Sequence, residues 1–414
     1  MNKLIRNIKI FGHQSYFFDL LILDGKVAEI AEDRHINSDR IAADDILDLD
    51  GCVASRGFVD MHVHFREPGQ TDKETIETGV MAAAKGGFTT VVCMPNTVPP
   101  IDNADTLLEV DRKGRQAKLV RVLVAGALSK GQAGLELSDI EGMDAAETLS
   151  KELTGHGIAA LTEDGKSLRD EALMERVCYE ASKRGLLIMD HAEPEEEIIA
   201  RDIELARKTG ARFHIQHVSR KGSVELIRAA KASGVPITCE TAPHYFSLTA
   251  SDVGRLGEWG ALAKMNPPLG TDEDRQAIII GLLDDTIDVI ATDHAPHELS
   301  LKALGYDAAP NGVSGLETAF SVSYTALVKS GYLTLEALVQ KLCDVPERIL
   351  GLTPPHASEF GKDLDLVLFD TTEEYEIDTE KFVSKGKNSP FGGKKVCGKV
   401  LLTICGGNVT YSAL

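Results

Sequence analysis

From about residue 56 to residue 350, short apolar or β-branched runs alternate with longer segments whose apolar residues recur at three and four positions. These are the spacings of strands and of amphipathic helices. Eight runs of the first kind stand out: Val59–His64, Thr89–Met94, Arg121–Gly126, Gly157–Thr162, Leu186–Asp190, Arg212–His217, Pro236–Glu240 and Asp288–Thr292. Between them, segments such as 170–184 and 223–234 carry helical periodicity and finish at a glycine, Gly185 and Gly234, as helices commonly do. Regular alternation of strand and helix predicts a parallel sheet, and eight repeats predict an α/β fold closed into a (β/α)8 TIM-type barrel. An open doubly wound sheet would ordinarily carry a glycine-rich phosphate turn after an early strand, and none is present.

The flanks keep a different period. Residues 1–55 and 357–414 hold short alternating runs, with turn signals at Asp24-Gly25 and Gly406-Gly407-Asn408. Both ends are therefore expected to build one small β-sandwich beside a catalytic barrel of residues 56–356.

Composition narrows the classes. A chain of 414 residues with 43% apolar side chains can bury a large core, which fits one barrel with a smaller partner domain. Seven scattered cysteines without a C-x-x-C pair give no disulfide framework and favour a reducing compartment, with the cytoplasm as the default. The N-terminal residues alternate instead of forming a signal-peptide core, and no apolar run is long enough to span a membrane. A net charge of −20 without a basic cluster argues against nucleic acid as the main ligand.

Chemistry in such a barrel collects at the carboxyl ends of the strands. His62 and His64, spaced two apart at the end of the first run, would share one face and offer two imidazoles to one metal. Alone that is a weak signal. The fourth run leads into Glu163-Asp164, the fifth into His191, the sixth into His217 and the eighth into Asp293 and His297, so five of twelve histidines gather at predicted strand ends. Imidazole nitrogen and carboxylate oxygen suit zinc, and a site with an open position lowers the pKa of a water to about 7. Two cations close together need a bridging anion, which Asp164 or a modified lysine could supply.

Several motifs then carry a resemblance. Gly57 to Gly69 (GFVDMHVHFREPG), Met94-Pro95-Asn96-Thr97, Asn266-Pro267-Pro268-Leu269, Ala291 to His297 (ATDHAPH), Gly315 to Phe320 (GLETAF) and Asn388-Ser389-Pro390-Phe391 together resemble the dihydroorotases of the amidohydrolase superfamily, of the bacterial class I type. The resemblance covers nearly the whole chain. It implies zinc ligands at His62, His64, Asp164, His191, His217 and Asp293, holding one or two ions, with two expected. In many relatives the bridge is a carboxylated lysine, whereas the local Thr-Glu-Asp-Gly resembles the variant that uses aspartate. Lys166 lies two residues too late, and His244 lies past the seventh strand, which supplies no ligand in this superfamily.

The implied reaction interconverts N-carbamoyl-L-aspartate and L-dihydroorotate, a step of de novo pyrimidine biosynthesis, with Asp293 taking a proton from the attacking water and returning it to the leaving nitrogen. Dihydroorotate carries a carboxylate outside its ring, and Arg66 is placed to grip it through two parallel hydrogen bonds. The resemblance adds His64, Asn96, Asn266 and His297, with the backbone around Asn311 and Gly312, as substrate contacts. It also implies a homodimer and allows a complex with aspartate transcarbamoylase. Two departures stand out: Gly270 follows Leu269 where relatives usually have arginine, so a salt link near Asn266 is expected to be lost, and the segment between His191 and His217 is short for the class. Two other readings compete. One is an allantoinase or hydantoinase, which typically lacks arginine at the Arg66 position. The other is a non-catalytic scaffold for aspartate transcarbamoylase, a kind of relative that usually loses metal ligands.

Overall fold

The eight apolar runs all become strands in the computed structural model, which describes residues 1–11, 17–32, 36–39, 41–352 and 364–414. They are β1 (Phe58–Val63), β2 (Phe88–Cys93), β3 (Arg121–Val124, resuming at Gly126–Ala127), β4 (Leu161–Thr162), β5 (Leu187–Asp190), β6 (Arg212–Ile215), β7 (Ile237–Thr241) and β8 (Val289–Ile290). Every pairing between neighbours is parallel. A parallel bridge from Val63 to His294, with the His64 N–H donating to the His294 carbonyl at 2.9 Å, joins the segment after β8 to β1 and closes the barrel.

Several strands are shorter than their apolar runs. The run Gly157–Thr162 is a regular strand only at Leu161–Thr162, although the Ala159 N–H donates to the Val124 carbonyl and the Ala160 carbonyl accepts from Gly126, and Arg212–His217 is a regular strand to Ile215, with the Gln216 N–H still donating to the Asp190 carbonyl. Backbone hydrogen bonds thus run past the regular strand at these ends. The helices follow their punctuation. Asp170 caps Glu171–Arg184 by accepting the Leu173 N–H, and Gly185, at φ 76°, ends it in a left-handed conformation that glycine adopts without strain.

Alternation divides the strand side chains between two cores. Val91, Val122, Ile188, Phe213 and Ile290 face outward among the helices. Val59, Met61, Val92, Leu123, Leu187, Met189 and Val289 form a separate inner cluster that fills the barrel. The polar side chains of the rim therefore stand on an apolar plug.

Strands from both flanks form one eight-stranded sheet, in the order Phe17–Leu23, Lys26–Glu32, Asn408–Ser412, Lys399–Cys405, Leu366–Asp370, Val53–Ser55, Lys3–Ile10 and Ile46–Asp48. Lys3–Ile10 also pairs with Phe17–Leu23, so the sheet folds back on itself around Ile5, Ile8, Phe18, Leu20, Leu368 and Leu402. The turns at Asp24-Gly25 and Gly406-Gly407 all have positive φ, as tight hairpins require. The expected boundary at residues 356 and 357 lies outside the described residues. Phe58 of β1 stacks on Phe320 at 5.1 Å and lies 6.3 Å from Phe369 of the terminal sheet, locking sheet and barrel together. Among the described residues, no helix is long and apolar enough to cross a membrane.

Candidate metal centre and substrate cavity

The six expected ligands are all buried and meet at one end of the barrel. His62 belongs to β1, where the register with β2 shifts between Asp60 and Val63. Past that shift, its ring reaches Glu240 of β7 across the barrel interior. His64, His191, His217, Asp164 and Asp293 lie one to three residues beyond the ends of their strands.

Asp164 is the hub of the cluster. One of its oxygens lies 3.2 Å from His62 Nε2, 3.6 Å from His191 Nδ1 and 3.9 Å from His217 Nε2; the other lies 3.3 Å from His64 Nε2. The facing nitrogens of His191 and His217 are 2.8 Å apart. Asp293 Oδ1 lies 3.1 Å from His64 Nε2 and 3.6 Å from His62 Nε2. Two triads thus share one carboxylate, His62 with His64 and Asp164, and Asp164 with His191 and His217, and in each the ligand atoms lie within 4.8 Å of one another.

The protonation pattern tests whether this set suits a metal. The Glu240 carboxylate, which accepts hydrogen bonds, lies 2.7 Å from His62 Nδ1, and Asn96 Oδ1, also an acceptor, lies 2.9 Å from His64 Nδ1. Both rings therefore carry a proton on Nδ1 and turn Nε2 toward the oxygens of Asp164 and Asp293. A cation is needed between each Nε2 and the carboxylates it faces, either a second ring proton or a metal ion in its place. The geometry thus fits a metal bound through Nε2, with the second ring nitrogen oriented from behind. Electrostatics agree. Burial would raise the carboxyls of Asp164 and Asp293, but the histidines hold both well below the usual range. Burial works against a charged His62, yet Asp164 raises its pKa well above the ordinary value, so that without a metal the ring holds a proton at the position a bound cation would take. Burial with the charges of His191 and His62 pushes His217 down to about 3, so it stays neutral as a ligand must.

The backbone is strained at the same place. Arg66, His217 and Asp293 have φ of 60°, 34° and 45°, a region that non-glycine residues rarely occupy and that clusters at functional sites.

Supporting residues came from strand positions that had not been singled out. Glu240 also accepts from His214 at 3.2 Å; despite burial, His214 and His62 lower its pKa to about 2. Asp60 accepts from the backbone N–H groups of His62 and Thr292 and from the Thr292 hydroxyl, tying β1 to the segment after β8. Period-two parity with Thr238 could have flagged Glu240, since its neighbour Cys239 faces the helices.

A cavity of about 190 Å³ opens over the centre, and its walls include Arg66, Asn96, Asn266, Asn311 and Gly312. Of the expected substrate contacts, His297 alone does not line it. Its Nε2 donates to the Asn311 carbonyl at 2.8 Å and lies 3.4 Å from the Arg66 guanidinium, so it acts from behind. Arg66 is buried, its Nε has no hydrogen-bond partner, and no carboxylate pairs with it among the described residues. Gly312, at φ 140°, leaves no room for a Cβ, which would come within 2.4 Å of the Ala295 carbonyl.

The remaining expectations resolve in detail. His244 is buried against Tyr245 and belongs to neither triad. Lys166 is exposed and donates to the Gln132 carbonyl. At Gly270, a Cβ would meet the Arg220 guanidinium at 2.7 Å. That guanidinium donates to the Pro268 carbonyl and lies 3.5 Å from Asp274, so the Asn266 loop is tethered to the segment after β6, and the expected loss of a salt link does not leave it loose.

Residues 54–410 match the model of the Amidohydrolase family. Among curated proteins, the dihydroorotase of Acetivibrio thermocellus is 41% identical over 418 residues, spanning 94% of each chain. The dihydroorotase of Bacillus cereus (strain AH820) is 40% identical over 440 residues, spanning 99% of this chain and 98% of the relative. Among solved structures, the L-hydantoinase (dihydropyrimidinase) of Arthrobacter aurescens superposes with a TM-score of 0.83 at 26% identity, over 100% of this chain and 96% of that one. The dihydropyrimidinase of Brevibacillus agri NCHU1002 superposes with a TM-score of 0.82 at 22% identity, over 100% of this chain and 95% of that one, a likeness of fold.

Proposed function

Because the chain belongs to the amidohydrolase family, we propose that it is a zinc-dependent dihydroorotase interconverting N-carbamoyl-L-aspartate and L-dihydroorotate in pyrimidine biosynthesis. The observation that carries the choice of substrate is Arg66. A buried guanidinium without a carboxylate partner, on the wall of a small cavity beside the metal centre, is an unmet demand for an anion. The exocyclic carboxylate of dihydroorotate meets it, whereas the neutral ring of a simple hydantoin does not.

In this reading His62, His64, Asp164, His191, His217 and Asp293 would hold the zinc, one or two ions with two expected. When bound, the metals would lower the pKa of a water to about 7 and polarise the ring carbonyl. The protein's own groups do the rest. Asp293 faces the cavity and its depressed pKa keeps it ionised at neutral pH, the form that can accept a proton and then return it to the ring nitrogen. Glu240 and Asn96 orient the rings of His62 and His64 through Nδ1. Asn266 Nδ2 lies 3.2 Å from His191, where it can meet the ring edge, and Asn311 and Gly312 line the same cavity. A cytoplasmic location, a homodimer and association with aspartate transcarbamoylase belong to the same proposal; sizing chromatography, alone and with that enzyme, tests the last two.

The deciding assay follows L-dihydroorotate by its absorbance with purified protein and zinc, beside a chelated control and an allantoin control. Zinc-dependent loss of dihydroorotate alone is expected. Equal rates on allantoin would point to an allantoinase, and no rate on any cyclic amide to a scaffold.

A further inference from the structure

Lys302 ends the short helix Leu299–Lys302, and its side chain is among the largest that are fully buried. Lysine normally extends its ammonium to water, and enclosing that group is unfavourable unless its hydrogen bonds are met. No carboxylate pairs with Lys302 among the described residues. Instead its Nζ donates to two backbone carbonyls, of Lys264 at 3.0 Å and of Pro310 at 2.8 Å. These acceptors belong to two different segments of the cavity wall. Lys264 stands two residues before Asn266, and Pro310 directly precedes Asn311 and Gly312. The Gly312 N–H donates to the same Lys264 carbonyl at 2.9 Å, so ammonium and amide join the two segments at one point.

We propose that Lys302 is a positioning residue, which fixes the separation of the Asn266 and Asn311–Gly312 segments and thereby the width of the cavity for a dihydroorotate-sized ring. The proposal rests on the dihydroorotase reading. Lys302 touches neither the metal ligands nor the cavity, so its influence should fall on binding before chemistry. Burial, with the nearby Lys264 charge, pushes its pKa down to about 7, a burden that a lysine free to reach water would not carry.

Lys302→Met keeps the length and apolar stem of the side chain but leaves the Pro310 carbonyl without its donor. With zinc content and circular dichroism unchanged, this variant is expected to raise KM for L-dihydroorotate about tenfold while kcat moves less than about threefold. Lys302→Gln, which can still donate to one carbonyl, should give an intermediate KM. A KM within about twofold of wild type in either folded variant overturns the proposal, as does an equal fall in kcat with KM constant. If neither variant folds, Lys302 is a structural residue and the positioning role is refuted. Wild-type protein is assayed alongside: if it does not turn over dihydroorotate the functional reading itself has failed, whereas active wild type with kinetically silent variants defeats the Lys302 role alone.

Discussion

Replacing Glu240 by glutamine changes the metal centre without touching a ligand. Glu240 is fully buried and accepts from two imidazoles, His62 at 2.7 Å and His214 at 3.2 Å. Glutamine keeps the shape but loses the charge, and it offers one acceptor where the carboxylate offers two. A buried hydrogen bond to a charged group contributes about 1.5–3 kcal/mol and a neutral one about 1 kcal/mol, so the His62 contact loses about 0.5–2 kcal/mol. That is about 2- to 30-fold in the fraction of His62 presenting its Nε2 lone pair, and its upper part overlaps the range of about 10- to 100-fold lost when outer partners of metal-bound histidines are removed. Glu240→Gln is therefore expected to weaken zinc binding about tenfold or more. Protein stripped of metal is titrated with zinc against a chromophoric chelator, and circular dichroism confirms the fold. Most of kcat should return at saturating zinc, because no ligand has been removed. An affinity within about twofold of wild type in a folded variant would refute the idea that Glu240 sets the His62 tautomer.

Arg66→Ala should lower kcat/KM for L-dihydroorotate by about 100-fold or more, roughly 2.7 kcal/mol, while a neutral hydantoin is not penalised; equal losses on both substrates would remove Arg66 from specificity. The depressed pKa of Lys302 means that between pH 7 and about 10.5 the unfolded chain holds the proton that the folded chain has released, so this group adds stability as pH rises through that window. The melting temperature of wild type relative to Lys302→Met should accordingly climb from pH 7 to pH 10, and a flat difference contradicts the burial argument. Phe58→Ala empties the junction of Phe88, Phe320 and Phe369 and should cost about 3–5 kcal/mol in urea unfolding; a loss below about 1 kcal/mol would mean that barrel and terminal sheet are not joined there. Chelation of bound metal should lower the unfolding midpoint, with recovery on adding zinc, since a ligand at 100 times its Kd contributes about 2.7 kcal/mol. No change in the midpoint would show that the triads hold no metal.

Much of this molecule was legible in the sequence because period two and period 3.6 are imposed by burial, and the barrel buries both faces of its strands. The eight runs, the helix end at Gly185 and the hairpin turns at Asp24 and Gly406 were visible for that reason. Strand ends were not, since Ile158–Ala160 are as apolar as Leu161 yet precede the regular strand. The site divides the same way. Histidines at strand ends are conspicuous, whereas Glu240 and Asp60 look like ordinary interior breaks in a strand, and only the partner across the barrel reveals their task. Lys302 sits between leucine and alanine in a stretch that reads as solvated, and nothing local shows that it lies beneath two wall segments. Gly270 read as a missing tether because the group that fills the space, Arg220, lies 50 positions earlier.

The terminal sheet imposes an order on how the molecule can be made. Lys26 pairs with Asn408, and Val53–Ser55 with Val367–Phe369, so although the N-terminal strands also pair among themselves, the sheet is completed only after the barrel between these partners has been made. Until then the apolar face of Phe18, Leu20 and Ile22 and the open edges of these strands persist on the nascent chain while the whole barrel is synthesised. Such contacts, distant in sequence, are slow to form and prone to intermolecular pairing. Soluble yield should therefore depend on chaperone supply during synthesis far more than on the stability of the finished enzyme.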